Sequence, residues 1–151
     1  MLGSRIAALP PGFDELAADA LADGQRLLDV LAEDWRSGAL RFDGPGEALF
    51  IAEAGGALVG IGGLTRDPYL RDEAAGRVRR LYVLRAARRH GAGRALLGGI
   101  AQVGRDAGWS RLRVRSPATA HAFYEACGFL RAVGEKAATH VMPLSAPRES
   151  A

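Results

Sequence analysis

Arg88-Arg89-His90-Gly91-Ala92-Gly93 is the stretch on which the reading of this chain turns. It follows an apolar, strand-like run, Leu81-Tyr82-Val83-Leu84, and opens a helical pattern that continues to Ala107. A helix N-terminus leaves backbone N–H groups without partners and carries a partial positive charge. Gly91 and Gly93 bring no side chain, so a ligand can come close to that backbone. Arg88, Arg89, His90 and Arg94 surround it with donors. Strand, basic glycine turn and helix, in that order, make a site for a phosphate or pyrophosphate. The nucleotide P-loop pattern is absent, and so is GxGxxG: the glycines read Gly91-x-Gly93, with an arginine three residues before the first.

Outward from this turn, apolar spacing predicts the remaining elements. Ser4 to Leu9 reads as a short strand closed by Pro10-Pro11. Phe13, Leu16, Ala17, Ala20 and Leu21 fall on one helical face, and Leu27, Leu28, Leu31 and Trp35 on another. Ala48 to Ala54 and Ala57 to Thr65 read as strands joined by the hairpin signal Gly55-Gly56. A polar loop, Arg66 to Gly76, precedes a strand from Arg77 to Leu84. Leu112 to Arg115 is a further strand, after which Ser116 is expected to cap a helix with Pro117 at its first position. Phe129 to Val133 and Thr139 to Leu144 close the pattern as a strand pair, and the tail Ser145 to Ala151 is expected to be disordered. The mixed order implies one α/β domain over residues 1–144, with helices on both faces of a sheet.

The order R-x-x-G-x-G after a strand ending in L-x-V resembles the acetyl-CoA signature of the GCN5-related N-acetyltransferases (the GNAT superfamily). A second segment, Ala122-Phe123-Tyr124-Glu125-Ala126-Cys127-Gly128-Phe129, resembles that family's second conserved region, a helix carrying F-Y and ending at G-F. The two stand in the family's order, with Leu112 to Ser116 between them, and the resemblance spans roughly residues 48–144. It implies a largely antiparallel sheet whose fourth and fifth strands are parallel and splay apart. The pantetheine arm of acetyl-CoA would lie in that wedge, along the edge of Leu81, Tyr82 and Val83. Its pyrophosphate would rest on Arg88, Arg89, His90, Gly91, Ala92, Gly93, Arg94 and Ala95. Tyr124, at the position of a tyrosine that family members commonly use, would contact the cofactor and donate a proton to the departing thiolate. Many relatives carry a glutamate early in the fourth strand; the corresponding place here is Arg77, which cannot act as a base. Where many relatives have an asparagine, this chain has Pro117.

Composition narrows the alternatives. With 151 residues, 48% hydrophobic and 25% charged, the chain can bury a real core. No apolar run is long enough to span a membrane. Cys127 is the only cysteine, so no internal disulfide can form, in keeping with an expected cytoplasmic location. The net charge is +3, and arginines cluster at 77, 79, 80, 85, 88, 89 and 94. That cluster reads either as a solvated basic face or as a field that attracts a polyanionic cofactor. Nucleic acid is not the expected partner, since the cluster comes with no recognition motif. Three scattered histidines and one cysteine give no metal-ligand spacing.

Acetyl transfer to an amine requires a neutral amine, donors for the oxyanion, and a proton or donor for the thiolate. For the base, the candidates are the loop carboxylates Asp67, Asp72 and Glu73 and, near the end of an earlier strand, Glu53; a water chain carrying the proton is the alternative to any base. Asp67 comes first, beside Pro68 and Tyr69 on a loop expected to border the acceptor amine. The expected activity is N-acetylation of a primary amine, small or on a peptide, with acetyl-CoA as cosubstrate and no metal; a homodimer is compatible with it. The alternative is a regulatory module of the same fold that binds acyl-CoA without turnover.

Overall fold

Gly55 and Gly56 adopt positive φ (58° and 80°), the pair of left-handed residues that a tight hairpin needs. They join β2 (Ala48–Ala54) to β3 (Ala57–Arg66), which pair antiparallel as the second and third strands of the sheet. In the computed structural model, which describes residues 3–70 and 73–144, β1 (Ser4–Ile6) lies beyond β2. On the other side β3 is followed by β4 (Ala75–Val83), β5 (Arg111–Val114), β7 (His140–Pro143) and β6 (Leu130–Arg131). Every neighbouring pair is antiparallel except β4 and β5. This is the mixed, mostly antiparallel α/β sheet with a parallel fourth and fifth strand that the sequence predicts.

Helices cover both faces, each through its own apolar cluster. Helices α1 (Phe13–Ala22) and α2 (Leu27–Ser37) bury Phe13, Leu16, Leu28 and Leu31 against Ile51, Ile61 and Tyr82. Helices α3 (Ala92–Asp106) and α4 (His121–Ala126) cover the opposite face, where Leu96, Ile100 and Tyr124 pack with Phe50, Leu64, Val78 and Leu112. The buried positions of α3 (Ala92, Gly93, Leu96, Leu97, Ile100, Ala101 and Gly104) follow the helical repeat, so one stripe faces the sheet. Gly108, at φ 81°, follows its end.

Two expectations change. The fourth strand begins at Ala75, because Gly76 and Arg77 pair with Leu112 and Arg113 and draw the end of the expected loop into the sheet. Ser116 does not cap a helix: its hydroxyl donates to the Pro117 carbonyl at 2.8 Å, and a 3-10 turn at Ala118–Ala120 intervenes before α4. The expected disordered tail lies outside the described residues. No described helix is long and apolar enough to cross a membrane.

Candidate acyl-donor and acceptor site

β4 and β5 stay together for only three residue pairs, Ala75 with Arg111, Gly76 with Leu112 and Arg77 with Arg113. Beyond them β4 runs on to Val83 with no pairing on that side, while the Val114 carbonyl turns to the other neighbour and accepts from Thr139 N–H at 2.9 Å. The two strands therefore part. A bulge in β4 accompanies the parting: Tyr82 pairs with Ile61 and Arg79 with Gly63, so two residues, Arg80 and Leu81, stand opposite Gly62 alone. Arg80 takes φ 56°, a conformation that few residues other than glycine adopt. Gly62 leaves room there for the Leu81 side chain, since a Cβ would stand 2.5 Å from Leu81 Cδ1 and make that side chain shift. An unpaired strand edge offers backbone groups to an extended, amide-bearing ligand.

The Val83 carbonyl on that edge accepts from Arg88 Nε at 3.2 Å. Arg88 also pairs with Asp23 at 2.8 Å and lies 5.4 Å from the Tyr82 ring centroid. Arg88 thus fastens the end of β4 to the connection between α1 and α2. Tyr82 adds a second fastening: its hydroxyl donates to Asp19 Oδ2 at 2.5 Å, and Asp19 also pairs with Arg85 at 3.3 Å. Burial first, and then the bond to Asp19, push the Tyr82 phenol well above its usual range, so it remains a donor.

The turn before α3 keeps its donors exposed. Arg89 and Gly91 both take positive φ (68° and 89°). Left-handed residues of this kind turn successive N–H groups toward one concavity, which suits an anion. No side chain caps this helix end. Arg89, His90, Gly91 and Arg94 are exposed, and His90 folds inside the turn, with Nδ1 2.9 Å from the Arg88 carbonyl. A Cβ on Gly91 would meet nothing within 4 Å. Gly93 differs from the expectation of ligand access, since its Cβ would stand 2.7 Å from Phe123 Cζ. That glycine lets α3 and α4 approach each other.

Tyr124 shares one apolar cluster with Val114 at the end of β5 and Ala92 at the start of α3. It is 4% exposed and packs edge-on against Phe123 and Phe129, with ring centroids 5.2 and 5.3 Å away. Its hydroxyl has no hydrogen-bond partner among the described residues. Burial holds its pKa far above the ordinary phenol value, so at neutral pH it carries a proton. Near it, His140 is fully buried, with Nε2 3.4 Å from Glu125 Oε2 and Nδ1 2.8 Å from Thr139 Oγ1.

Asp67 departs most from the sequence reading. The expectation is a loop carboxylate facing an amine; the structure buries it completely. Its Oδ2 lies 2.5 Å from Arg113 Nη1 and 3.6 Å from Arg77 Nη1, and its Oδ1 accepts from Tyr69 N–H at 2.8 Å. Fully buried and enclosed by two guanidiniums, this carboxylate presents no open face to an amine. Of its companions, Asp72 lies outside the described residues, and Glu73 pairs with Arg111. Arg113, which nothing in the sequence singles out, is the buried centre of this network and also donates to the Lys136 carbonyl. Its only signal is the alternation Arg111-Leu112-Arg113-Val114, in which a strand carries charge on one face.

The acetyltransferase (GNAT) family model matches residues 13–129. Among solved structures, a protein from Exiguobacterium sp. 255-15, assigned as an acetyltransferase, superposes with TM-score 0.82 at 29% identity, covering 93% of this chain and 91% of its own. An acetyltransferase of the GNAT family from Staphylococcus aureus Mu50 superposes with TM-score 0.66 at 15% identity, covering 95% and 99%. The N-acetylglutamate synthase of Neisseria gonorrhoeae, solved with coenzyme A and N-acetyl-glutamate, superposes with TM-score 0.66 at 21% identity over 96% of this chain and 36% of its own. No curated protein matches the sequence.

Proposed function

This chain belongs to the acetyltransferase (GNAT) family, and from that premise we propose that it transfers an acetyl group from acetyl-CoA to a primary amine. The observation that carries the reading is the parting of β4 and β5 beside the exposed, uncapped start of α3. The open edge at Leu81, Tyr82 and Val83 suits the amides of a pantetheine arm, and relatives of the fold are solved with coenzyme A or acetyl-CoA. The backbone of Arg89 to Ala95 suits a pyrophosphate, with Arg94 and Arg89 adding charge and His90 lying in the same turn. Arg88, also expected to add charge there, holds Asp23 through Nη2 and the Val83 carbonyl through Nε.

Bound acetyl-CoA supplies the activated thioester. The chain positions it, and Tyr124 stays protonated in its apolar setting, ready to donate to the sulfur as the C–S bond breaks. The amine nitrogen forms the new C–N bond and releases its own proton to solvent, since Arg77 is no base and Asp67 is buried out of the amine's reach between Arg77 and Arg113. One feature favours a second reading, binding of acyl-CoA without turnover: Arg77 stands where many relatives carry a carboxylate. Free-thiol release from acetyl-CoA across a panel of primary amines separates the two. Tyr124→Phe is expected to lower kcat by roughly tenfold to a thousandfold, with coenzyme A affinity by calorimetry nearly unchanged. An unaltered kcat, with chemistry rate-limiting, removes Tyr124 from the reaction.

A further inference from the structure

On the α1/α2 face of the sheet, cations outnumber anions where β4 and β5 begin to part. Thr65, Arg77 and Arg113 stand side by side across three strands, as paired neighbours. Arg79 lies two residues along β4 on the same face and donates to Thr65 Oγ1 at 3.3 Å. Asp67 is shared by Arg77 and Arg113, and Glu135 by Arg113 and Arg111. Arg79 has no carboxylate within ion-pair distance among the described residues. Arg77 is 7% exposed, and its Nη1 is buried without a hydrogen bond. Tyr69, 47% exposed, lays its ring 4.8 Å from the Arg77 guanidinium and gives the patch a flat apolar wall.

Guanidinium groups withdrawn from water gain most from an arriving anion, and their planar fork matches a carboxylate. The patch opens beside the bulge at Arg80, two to three residues short of the free edge at Leu81–Val83. At about 3.3 Å per residue that is roughly 7–10 Å, which the flexible Arg79 side chain and a compact amino acid bridge together. We propose that the acceptor is a small amine that also carries a carboxylate, and that Arg77 and Arg79 hold this carboxylate. The assignment rests on the acetyltransferase reading and narrows its substrate to amino acids and related amino-carboxylates. It also explains an arginine in the place of a base. A cationic wall disfavours the ammonium form and so favours the neutral amine that can attack. The same wall repels polyamines and lysine-rich peptides.

The test compares amines that differ only in the anion. Thiol release from acetyl-CoA is measured with amino acids, with their amides, with phosphate-bearing amines and with polyamines. Amino acids should exceed their amides by roughly a hundredfold or more in kcat/KM, as a site built for a polar group rejects an analogue lacking it. Arg79→Gln, at a half-exposed position that the fold tolerates more readily than Arg77, should raise the acceptor KM and collapse that ratio. The KM for acetyl-CoA should stay in place, and Arg79→Lys should restore part of the preference. Calorimetric titration of N-acetyl amino acids and their methyl amides, with and without coenzyme A, reads the same preference without turnover. Equal use of amides or polyamines, a preference for phosphate-bearing amines, or an unchanged ratio in Arg79→Gln overturns the assignment. Failure of coenzyme A to bind, with no thiol release from any amine, overturns the acetyltransferase reading instead; the carboxylate-against-amide titration then decides the arginine site by itself.

Discussion

Replacing Asp67 by alanine should damage the fold rather than a proton transfer. The carboxylate is fully buried, bonded to Arg113 at 2.5 Å, and close enough to Arg77 for an ion pair at 3.6 Å. Both guanidiniums are themselves withdrawn from water, Arg113 completely. Removing one partner of a buried pair leaves an uncompensated charge, which costs about 3–5 kcal/mol. Loss of the Tyr69 N–H bond falls within that range rather than adding to it. In a domain of this size each kcal/mol moves the midpoint by about 2–4 °C, so Tm should fall by roughly 6–20 °C. Urea denaturation followed by circular dichroism gives the free energy, with the m-value checking that the unfolded state is unchanged. Asp67→Asn should fall between wild type and alanine, because it keeps one acceptor oxygen but loses the charge and the second acceptor. Loss of less than about 1 kcal/mol in Asp67→Ala, together with a collapsed kcat, would refute this account and return Asp67 to the chemistry.

Gly91→Val meets open space, yet sets a β-branched residue at φ 89°, so it should distort the turn at about 1–3 kcal/mol and weaken coenzyme A binding in calorimetry. Affinity equal to wild type would place the phosphates elsewhere. Gly93→Ala should destabilise by about 1–3 kcal/mol through overpacking, because its Cβ would press on Phe123, and Phe123→Leu should recover part of that loss in thermal melts. Burial pushes the Asp19 carboxyl up, but bonds from Tyr82 and Arg85 outweigh it and hold the pKa below the ordinary 3.8. The stability this supplies is present above about pH 4 and lost as pH falls through the lowered value, so Asp19→Asn should flatten the acid limb of a stability–pH curve there.

Strand and helix periodicity made the architecture legible before the structure. The hairpin at Gly55-Gly56, the helix after Gly91 and the parallel β4–β5 pair all follow from local signals or from the resemblance at Gly91-x-Gly93 and Phe123-Tyr124. The acid–arginine network was not legible. Whether Asp67 meets solvent or two guanidiniums depends on strands 46 residues apart, and no local pattern encodes that encounter. Gly93 was half legible: its spacing marks the motif, while the ring of Phe123 that it accommodates belongs to another helix. The tie from Arg88 to Asp23 is equally non-local, joining residues 65 apart in the chain.

The bulge at Arg80 and Leu81 acts on the strand as a change of parity. Before it, even-numbered side chains look toward α3, as Val78 does, and the odd-numbered arginines look toward the α1/α2 face. After it the assignment is exchanged: Leu81 packs with the α3 cluster, and Tyr82 joins the α1/α2 cluster and reaches Asp19. Arg79 and Tyr82 therefore stand on one side of the sheet although they are three positions apart, a spacing that a regular strand forbids. Deleting one residue at the bulge would therefore leave the downstream faces as they are, with a single residue opposite Gly62 and Tyr82 still opposite Ile61. Keeping both residues in a straightened strand would instead invert everything downstream, turning the Tyr82 hydroxyl into the apolar layer beneath α3 and Leu81 toward the arginines.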